Sequence, residues 1–274
     1  MPANRLEFRA AVVRQIRAFF DDRGFVEVET PVRIAAPAPE PHIDCPPSID
    51  RFLRASPELQ MKKLLAAGMD KIYQLGPCFR LGENGRRHSD EFTMLEWYRK
   101  GAGYLDILSD MEELLRPWTR LEEIPRITVR EAYLKYAGWD PFAAFDQDRF
   151  DLDMATKVEP NLGGWVFLMD YPPECASLAK LAHGHAERWE LYVDGLELAN
   201  AFTELCDGDE QRRRFAAARQ ERRALGEADY PLDEEFLELL PLVGAAAGVA
   251  LGVDRLVMAL SGATDIAEVR ILDS

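Results

Sequence analysis

Residues 91–99, EFTMLEWYR, carry a carboxylate in the middle of an otherwise apolar and aromatic run. Read as a strand, the period of two puts Phe92, Met94, Glu96 and Tyr98 on one face and Thr93, Leu95 and Trp97 on the other. Both faces are apolar enough to be buried, which leaves Glu96 in a site with little water. A buried carboxylate without a partner costs roughly several kcal/mol or undergoes a large upward pKa shift. Glu96 is therefore expected to meet a cation, supplied either by the protein or by a ligand.

The flanking segments suggest what surrounds that strand. Between residues 6 and 20, Val12, Val13, Ile16, Phe19 and Phe20 fall on one helical stripe, which the stretch from Asp21 to Gly24 closes. FVEVETP alternates and stops at Pro31, as a strand would. Residues 36–47, APAPEPHIDCPP, are a proline-rich loop. SPELQMKKLLAAG reads as a helix with Ser56 as cap, Pro57 and Glu58 in the first turn and Gly68 at the stop. KIYQLGPCFR and EFTMLEWYR are strands joined by the polar loop LGENGRRHSD.

Further on, residues 104–115 and 234–240 are predicted helices, and GWVFLMDYP, WELYV and LELANAFTEL are extended. The last two are joined at Asp194-Gly195, a hairpin-turn pair. GVALGVDRLVMALSG passes from small residues into a helix, with Asp254 as the expected N-cap and Arg255 in the first turn. Strands and helices do not alternate regularly, so the expected fold is α+β around a largely antiparallel sheet. With 274 residues, no internal repeat and no shift in composition, one domain spanning 1–274 is expected.

A net charge of -15 repels polyanions overall, so DNA or RNA contact would need a local basic patch. The candidate is QRRRFAAARQERR at 211–223, where interleaved Ala and Glu favour a solvated helix face, with Asp209 and Glu210 in its first turn and Gly226 at its end. Cys45, Cys78, Cys175 and Cys206 form no CxxC pair, which suits a reducing compartment. His42, His183 and His185 show no zinc spacing. The N-terminus has neither a leader pattern nor a membrane-length apolar run, so a cytoplasmic location without membrane association is expected.

Three constellations bear chemistry. Arg80 ends an apolar strand, where a charge needs a fixed partner, and the loop after it adds Arg86, Arg87 and His88, a set suited to polyphosphate or carboxylate. A solvated hairpin explains Arg86 and Arg87 equally well. Glu197 and Glu204, with Asn200 between them, lie seven residues apart, on opposite faces of a regular strand; only a bulge would bring them together. Two carboxylates and substrate phosphates can hold Mg²⁺, although exposed edge glutamates would give the same pattern. The small residues before Arg255 allow close approach of a ligand, or mark a tight packing corner.

In this order, FVEVETP, CFRLGENGRRHSDEFTMLEWYR and GVALGVDRLVMAL resemble motifs 1, 2 and 3 of class II aminoacyl-tRNA synthetase cores, and EFTMLEWY, SPELQMK and LELANAF are similar to lysyl-tRNA synthetases in particular. The chain opens on the helix before motif 1, so no N-terminal OB-fold anticodon domain is expected. The closer resemblance is to the stand-alone family that attaches lysine, typically (R)-β-lysine, to a lysine side chain of translation elongation factor P. It implies ATP and Mg²⁺ as cofactors, elongation factor P and lysine or (R)-β-lysine as partners, and a homodimer; the acidic charge sets the separate expectation of no DNA or tRNA binding.

The resemblance also implies site residues. Glu96 and Tyr98 would hold the side-chain ammonium of the substrate, Glu58 beside Ser56 would face its other amino group, and Asn200 would orient it. Arg80 would grip the substrate carboxylate and the α-phosphate, Phe92 would stack on adenine, and His88 would line the nucleotide. Arg255 with Arg86 or Arg87 would hold the γ-phosphate, and Glu197 and Glu204 would bind Mg²⁺. Two positions depart from lysyl-tRNA synthetases: Gly82 stands where they carry a glutamate for adenine, leaving Glu83 as the nearest acid, and Ala250 replaces a glycine beside the amino acid. The alternatives are a truncated lysyl-tRNA synthetase or a ligase for another acceptor, and a non-catalytic synthetase-like module.

Overall fold

The computed structural model describes residues 3–271. The chain forms two compact units, one from the residues up to Gly101, Cys206–Ala246 and those from Leu251 onward, the other from Ala102–Leu205 and Ala247–Ala250.

The first unit opens with helix α1 (Ala3–Asp21), whose stripe buries Val12, Ile16 and Phe20. Phe20 stacks on Tyr73 with ring centroids 4.6 Å apart and packs against Trp97 at 5.1 Å. Strand β1 (Val26–Glu27) pairs parallel with Ile72 and Tyr73 and is shorter than FVEVETP suggests. The backbone leaves the ladder because the Thr30 N–H goes to the Gln74 side chain and its carbonyl to the buried Arg54. Strands β2 (Arg33–Ile34), β3 (Pro47–Ser48) and β4 (Arg51–Leu53) form a small antiparallel sheet, too short in each piece to show a period in sequence.

Helix α2 (Glu58–Ala66) is the expected helix but starts one residue later, with Pro57 rather than Ser56 at its N-cap; Ser56 Oγ still accepts the Glu58 N–H at 2.9 Å. Strands β5 (Lys71–Phe79) and β6 (Glu91–Lys100) pair antiparallel, with Gln74 opposite Glu96 and Cys78 opposite Phe92. Met94 to Tyr98 are all buried, as the two apolar faces require.

The second unit starts with α3 (Tyr104–Thr119) and continues through β7 (Arg126–Thr128), α4 (Val129–Ala132), α5 (Gln147–Asp153) and β8 (Trp165–Tyr171). Turns of π-helix follow α4 and α5, and their core stacks Tyr133 on Phe150 at 4.7 Å. Strands β9 (Leu181–Ala182), β10 (His185–Val193) and β11 (Leu196–Thr203) complete it. β8, β9 and β11 pair antiparallel with β10, and β7 runs parallel to β8. At the β10–β11 turn Asp194 and Gly195 both take positive φ, 47° and 71°, as a tight hairpin demands. The fold is thus α+β with mostly antiparallel pairing.

Returning to the first unit, α6 (Gly208–Leu225) is capped by Asp207 and stopped by Gly226 in the left-handed region. Every arginine of its basic stretch meets a carboxylate: Arg212 with Glu234, Arg213 and Arg214 with Glu210, Arg219 and Arg223 with Asp229, and Arg222 with Asp44 and Glu227. The stretch is a neutralised helix face. Helix α7 (Glu234–Val243) and strand β12 (Ala246–Gly252) lead into α8 (Val253–Ser261). Gly252, not Asp254, occupies the N-cap of α8. Asp254 is instead buried inside the helix, where Oδ2 accepts the Thr93 N–H at 2.7 Å and Oδ1 faces Arg9 Nη1 at 2.5 Å. A carboxylate offered two cations and a strand N–H gains more there than from a helix terminus; Arg270 is the second cation, at 3.4 Å.

Arg222 shows what the proline-rich loop hangs on. Its fully buried guanidinium donates to the carbonyls of Glu40, Ile43 and Ala228 and pairs with Asp44 at 2.5 Å and Glu227 at 2.9 Å. Removing it strands two carboxylates and three carbonyls at once. Arg222→Met is expected to lower stability by about 3–5 kcal/mol, measured by urea denaturation, with the loss of order greatest around residues 40–44 in hydrogen exchange.

Candidate active site

Glu96 is buried on β6, and its oxygens are taken by hydroxyls: Ser56 Oγ donates to Oε1 at 2.6 Å and Tyr98 donates to Oε2 at 2.9 Å. Ser56 therefore does two jobs, accepting from the start of α2 and donating to Glu96. The nearby cation Lys62 is itself buried and pairs with Glu58 at 2.6 Å, one helical turn along α2. Burial is the main cause that pushes the Glu96 carboxyl up to about 7, the charge of Glu58 adds to it, and the two hydroxyls and Lys62 pull the other way. Glu96 has met hydroxyls and taken the large pKa rise, which leaves it ready for a cation from outside.

On the same face of β6, four residues before Glu96, stands Phe92, with the Arg80 guanidinium 5.2 Å from its ring centre. Arg80 follows directly after β5, tied by its N–H to the Asp90 carbonyl at 2.8 Å. Among the described residues its buried Nε has no hydrogen-bond acceptor, and Glu83 lies 3.6 Å from Nη1. A buried, unsatisfied guanidinium N–H is the group an anionic ligand would complete.

The loop after Arg80 is a tight turn closed by reciprocal Gly85 and His88 backbone bonds, and Arg255 Nε donates to the Arg87 carbonyl at 3.3 Å. Partial burial and the neighbouring charge of Arg255 lower the His88 pKa, with Arg80 and Arg87 acting in the same sense. Arg80, Arg87, His88 and Arg255 are thus gathered. Arg86 turns away to Thr264 Oγ1 at 3.3 Å. Gly82 adopts φ 81°, a conformation that disfavours a side chain, so the acid is carried one residue later, at Glu83.

In the second unit the bulge that Glu197 and Glu204 required is present. Leu191 pairs with Ala199 but Tyr192 pairs with Glu197, so Leu198 is the extra residue of β11. Directly opposed residues share a face, which sets Glu197 and Asn200 on the side of Tyr192 and Glu190, and alternation carries on through Phe202 to Glu204. Glu204 is 3 % exposed and bridges to Ala179, so it is not an exposed edge glutamate. Two hard carboxylate donors on one face fit a divalent cation that takes its remaining ligands from phosphate and water. Ala250 is half-buried on β12.

The same face holds residues that sequence reasoning missed. Glu190 accepts from Tyr171 at 2.6 Å and Tyr192 at 2.7 Å and pairs with Arg188, which also donates to Asn200. The signal was present, since WELYV also centres a carboxylate in an apolar strand. Lys62, one turn after Glu58, was equally legible.

A face that offers a buried carboxylate to a cation and, four residues away, an aromatic ring with a guanidinium is complementary to a ligand with a cationic end and an anionic end. Residues 2–272 match the class II tRNA synthetases (D, K and N), and the chain belongs to that family. Within it the chain is similar to elongation factor P–(R)-β-lysine ligase of Proteus mirabilis, 38% identical over 307 residues that cover 97% of this chain and 94% of the relative. The enzymes of that name from Yersinia enterocolitica and Photorhabdus laumondii are 36% and 38% identical, covering 98% and 97% of this chain and 94% of each relative.

In the free protein, Glu96 is expected to titrate near 7, followed by its side-chain ¹³C carboxyl shift. Glu58→Gln removes the nearby negative charge, so the Glu96 midpoint should move down but stay above that of an ordinary carboxylate, because burial, the larger cause, is unchanged. An unmoved midpoint would show that the two carboxylates do not communicate.

Proposed function

We propose that this protein is an ATP-dependent ligase that activates (R)-β-lysine, or lysine, as an aminoacyl-adenylate and transfers it to a lysine side chain of elongation factor P. The observation that carries this reading is the placement of Glu96 and Phe92 on one face of β6. Four residues of strand separate their Cα atoms by about 13 Å, enough for a cationic side chain at one end and an adenylate at the other. The names of the relatives supply the acceptor and the amino acid.

Glu96 and Tyr98 would receive the side-chain ammonium, and Glu58, beside Ser56, the other amino group. The amino-acid carboxylate attacks the α-phosphorus, the bond to the β-phosphate breaks, and pyrophosphate leaves. Both reactants are anionic where they meet, and Arg80, with its free Nε, would offset that repulsion and hold the growing charge. Phe92 would stack on adenine, His88 and Glu83 would line the nucleotide, and Arg255 with Arg87 would receive the outer phosphates, Arg86 doing so only by leaving Thr264. Glu197 and Glu204 would hold Mg²⁺, which supplies further charge neutralisation at the phosphates. In the second half, the unprotonated ε-amine of the acceptor attacks the acyl carbon, AMP leaves, and an amide forms with release of a proton.

The reading includes a homodimer and a cytoplasmic setting; among the described residues no helix is long and apolar enough to cross a membrane. tRNA and DNA are not expected as partners, since the net charge is -15 and the basic stretch of α6 is internally paired.

ATP/pyrophosphate exchange with α-lysine and (R)-β-lysine, followed by mass measurement of elongation factor P, tests the reading. Exchange favouring (R)-β-lysine and a mass gain of one lysyl unit are expected; charging of lysine tRNA instead would replace it. Arg80→Ala should reduce kcat by about 10²–10³-fold. Glu96 must be ionised to hold an ammonium, so KM for the amino acid should fall as pH rises through about 7 and level off above, and Glu96→Gln should flatten that profile. Ala250→Gly removes a methyl beside the amino acid and should shift the activation ratio toward α-lysine.

A further inference from the structure

Asn200 lies opposite Glu190 in the β10–β11 pair, and its partner is Arg188, whose Nε donates to Asn200 Oδ1 at 3.0 Å. A guanidinium has only donors, so the atom it meets must be the amide oxygen. A flipped amide would set N–H against N–H. The Asn200 NH₂ group is thereby turned away from Arg188.

Arg188 is held on every other side. Nη1 donates to the Cys175 carbonyl at 2.8 Å, Nη2 meets Glu190 Oε1 at 2.5 Å, and the Tyr171 ring lies 4.4 Å from the guanidinium carbon. The other oxygen of Glu190 is occupied by the Tyr171 and Tyr192 hydroxyls. Burial, the largest single influence, opposes the Arg188 charge, but Glu190 together with Tyr171, Cys175 and Glu197 outweighs it and keeps the guanidinium above its ordinary pKa. The donor facing Asn200 is therefore permanent at any physiological pH.

We propose that Arg188 is a positioning residue for amino-acid activation, fixing Asn200 as a hydrogen-bond donor toward the carboxylate of the amino acid. This rests on the adenylating reading above and deepens it. Position 200 must donate, so a side chain of the same shape that can only accept will not serve. Asp at 200 would keep the contact with Arg188, and hence the fold, while turning a second carboxylate oxygen toward the anionic ligand.

The test is ATP/pyrophosphate exchange by the full chain with α-lysine and (R)-β-lysine, with KM for amino acid and for ATP measured separately. Asn200→Asp is expected to raise KM for the amino acid about 100-fold while leaving KM for ATP within about twofold and the melting temperature no lower. Arg188→Met should raise KM for the amino acid about tenfold, again sparing ATP, and Arg188→Lys, which keeps one donor, should recover part of the loss. An unchanged amino-acid KM in Asn200→Asp overturns the proposal, as does an Arg188→Met protein in which both KM values, kcat and melting temperature change together. If wild-type protein shows no exchange, titration calorimetry with the same amino acids reads the same ratios. No binding of either amino acid to wild type overturns the adenylating reading and this proposal with it, whereas wild-type exchange with unaffected variants overturns the Arg188 role alone.

Discussion

Glu96 is buried and held by two hydroxyls, and much of the first unit is arranged around that fact. Hydroxyl donors satisfy the hydrogen bonds of a carboxylate without neutralising it. The residual cost shows as a carboxyl pushed up to about 7. A protein selected for stability alone would place an apolar side chain here, in line with Leu95 and Trp97 on the other face. A strongly shifted acid in a buried strand is a cost that stability alone does not account for.

Helix α2 extends the same logic. Ser56 accepts the Glu58 N–H and donates to Glu96, so the start of the helix and the acid on the strand are fixed by one oxygen. One turn later Lys62, fully buried, is engaged by Glu58. The pull of the Lys62 ammonium on Glu96 ranks below burial, Glu58 and both hydroxyls. At the other end of the strand the cations Arg80, Arg87 and Arg255 lie around His88, and their charges add to the burial that lowers its pKa. The acid end and the basic end are complementary to a ligand with a cationic tail and an anionic head.

How much of this could be read from sequence depended on the length of each signal. β6, the β10–β11 hairpin and α6 carry periods and stops sustained over enough residues to stand alone, and the bulge in β11 was foreseeable as a condition, because seven residues cannot return to one strand face without it. The helices and π-turns of residues 129–158 and the sheet of β2 to β4 were not legible, since pieces of two to seven residues show no period and are held by packing such as Tyr133 on Phe150. Asp254 was misread for another reason. Its position before an apolar run looks like a cap, but only the fold reveals Arg9, Arg270 and the Thr93 N–H around it. Gly82 likewise reads as a lost acid until its φ of 81° shows that the turn itself forbids one.

The two buried carboxylates make the sharpest comparison. Both sit at the centre of an apolar strand and both accept from the tyrosine two residues on, Glu96 from Tyr98 and Glu190 from Tyr192. Two residues before, the strands differ: Arg188 precedes Glu190, and Met94 precedes Glu96. Side chains two apart on a strand share a face, so Glu190 receives a cation from its own strand and becomes part of a closed network that orients Asn200. Glu96, with a thioether in that place, receives none. The same local device is therefore built once with a cation from its own strand and once without, and the difference is one side chain.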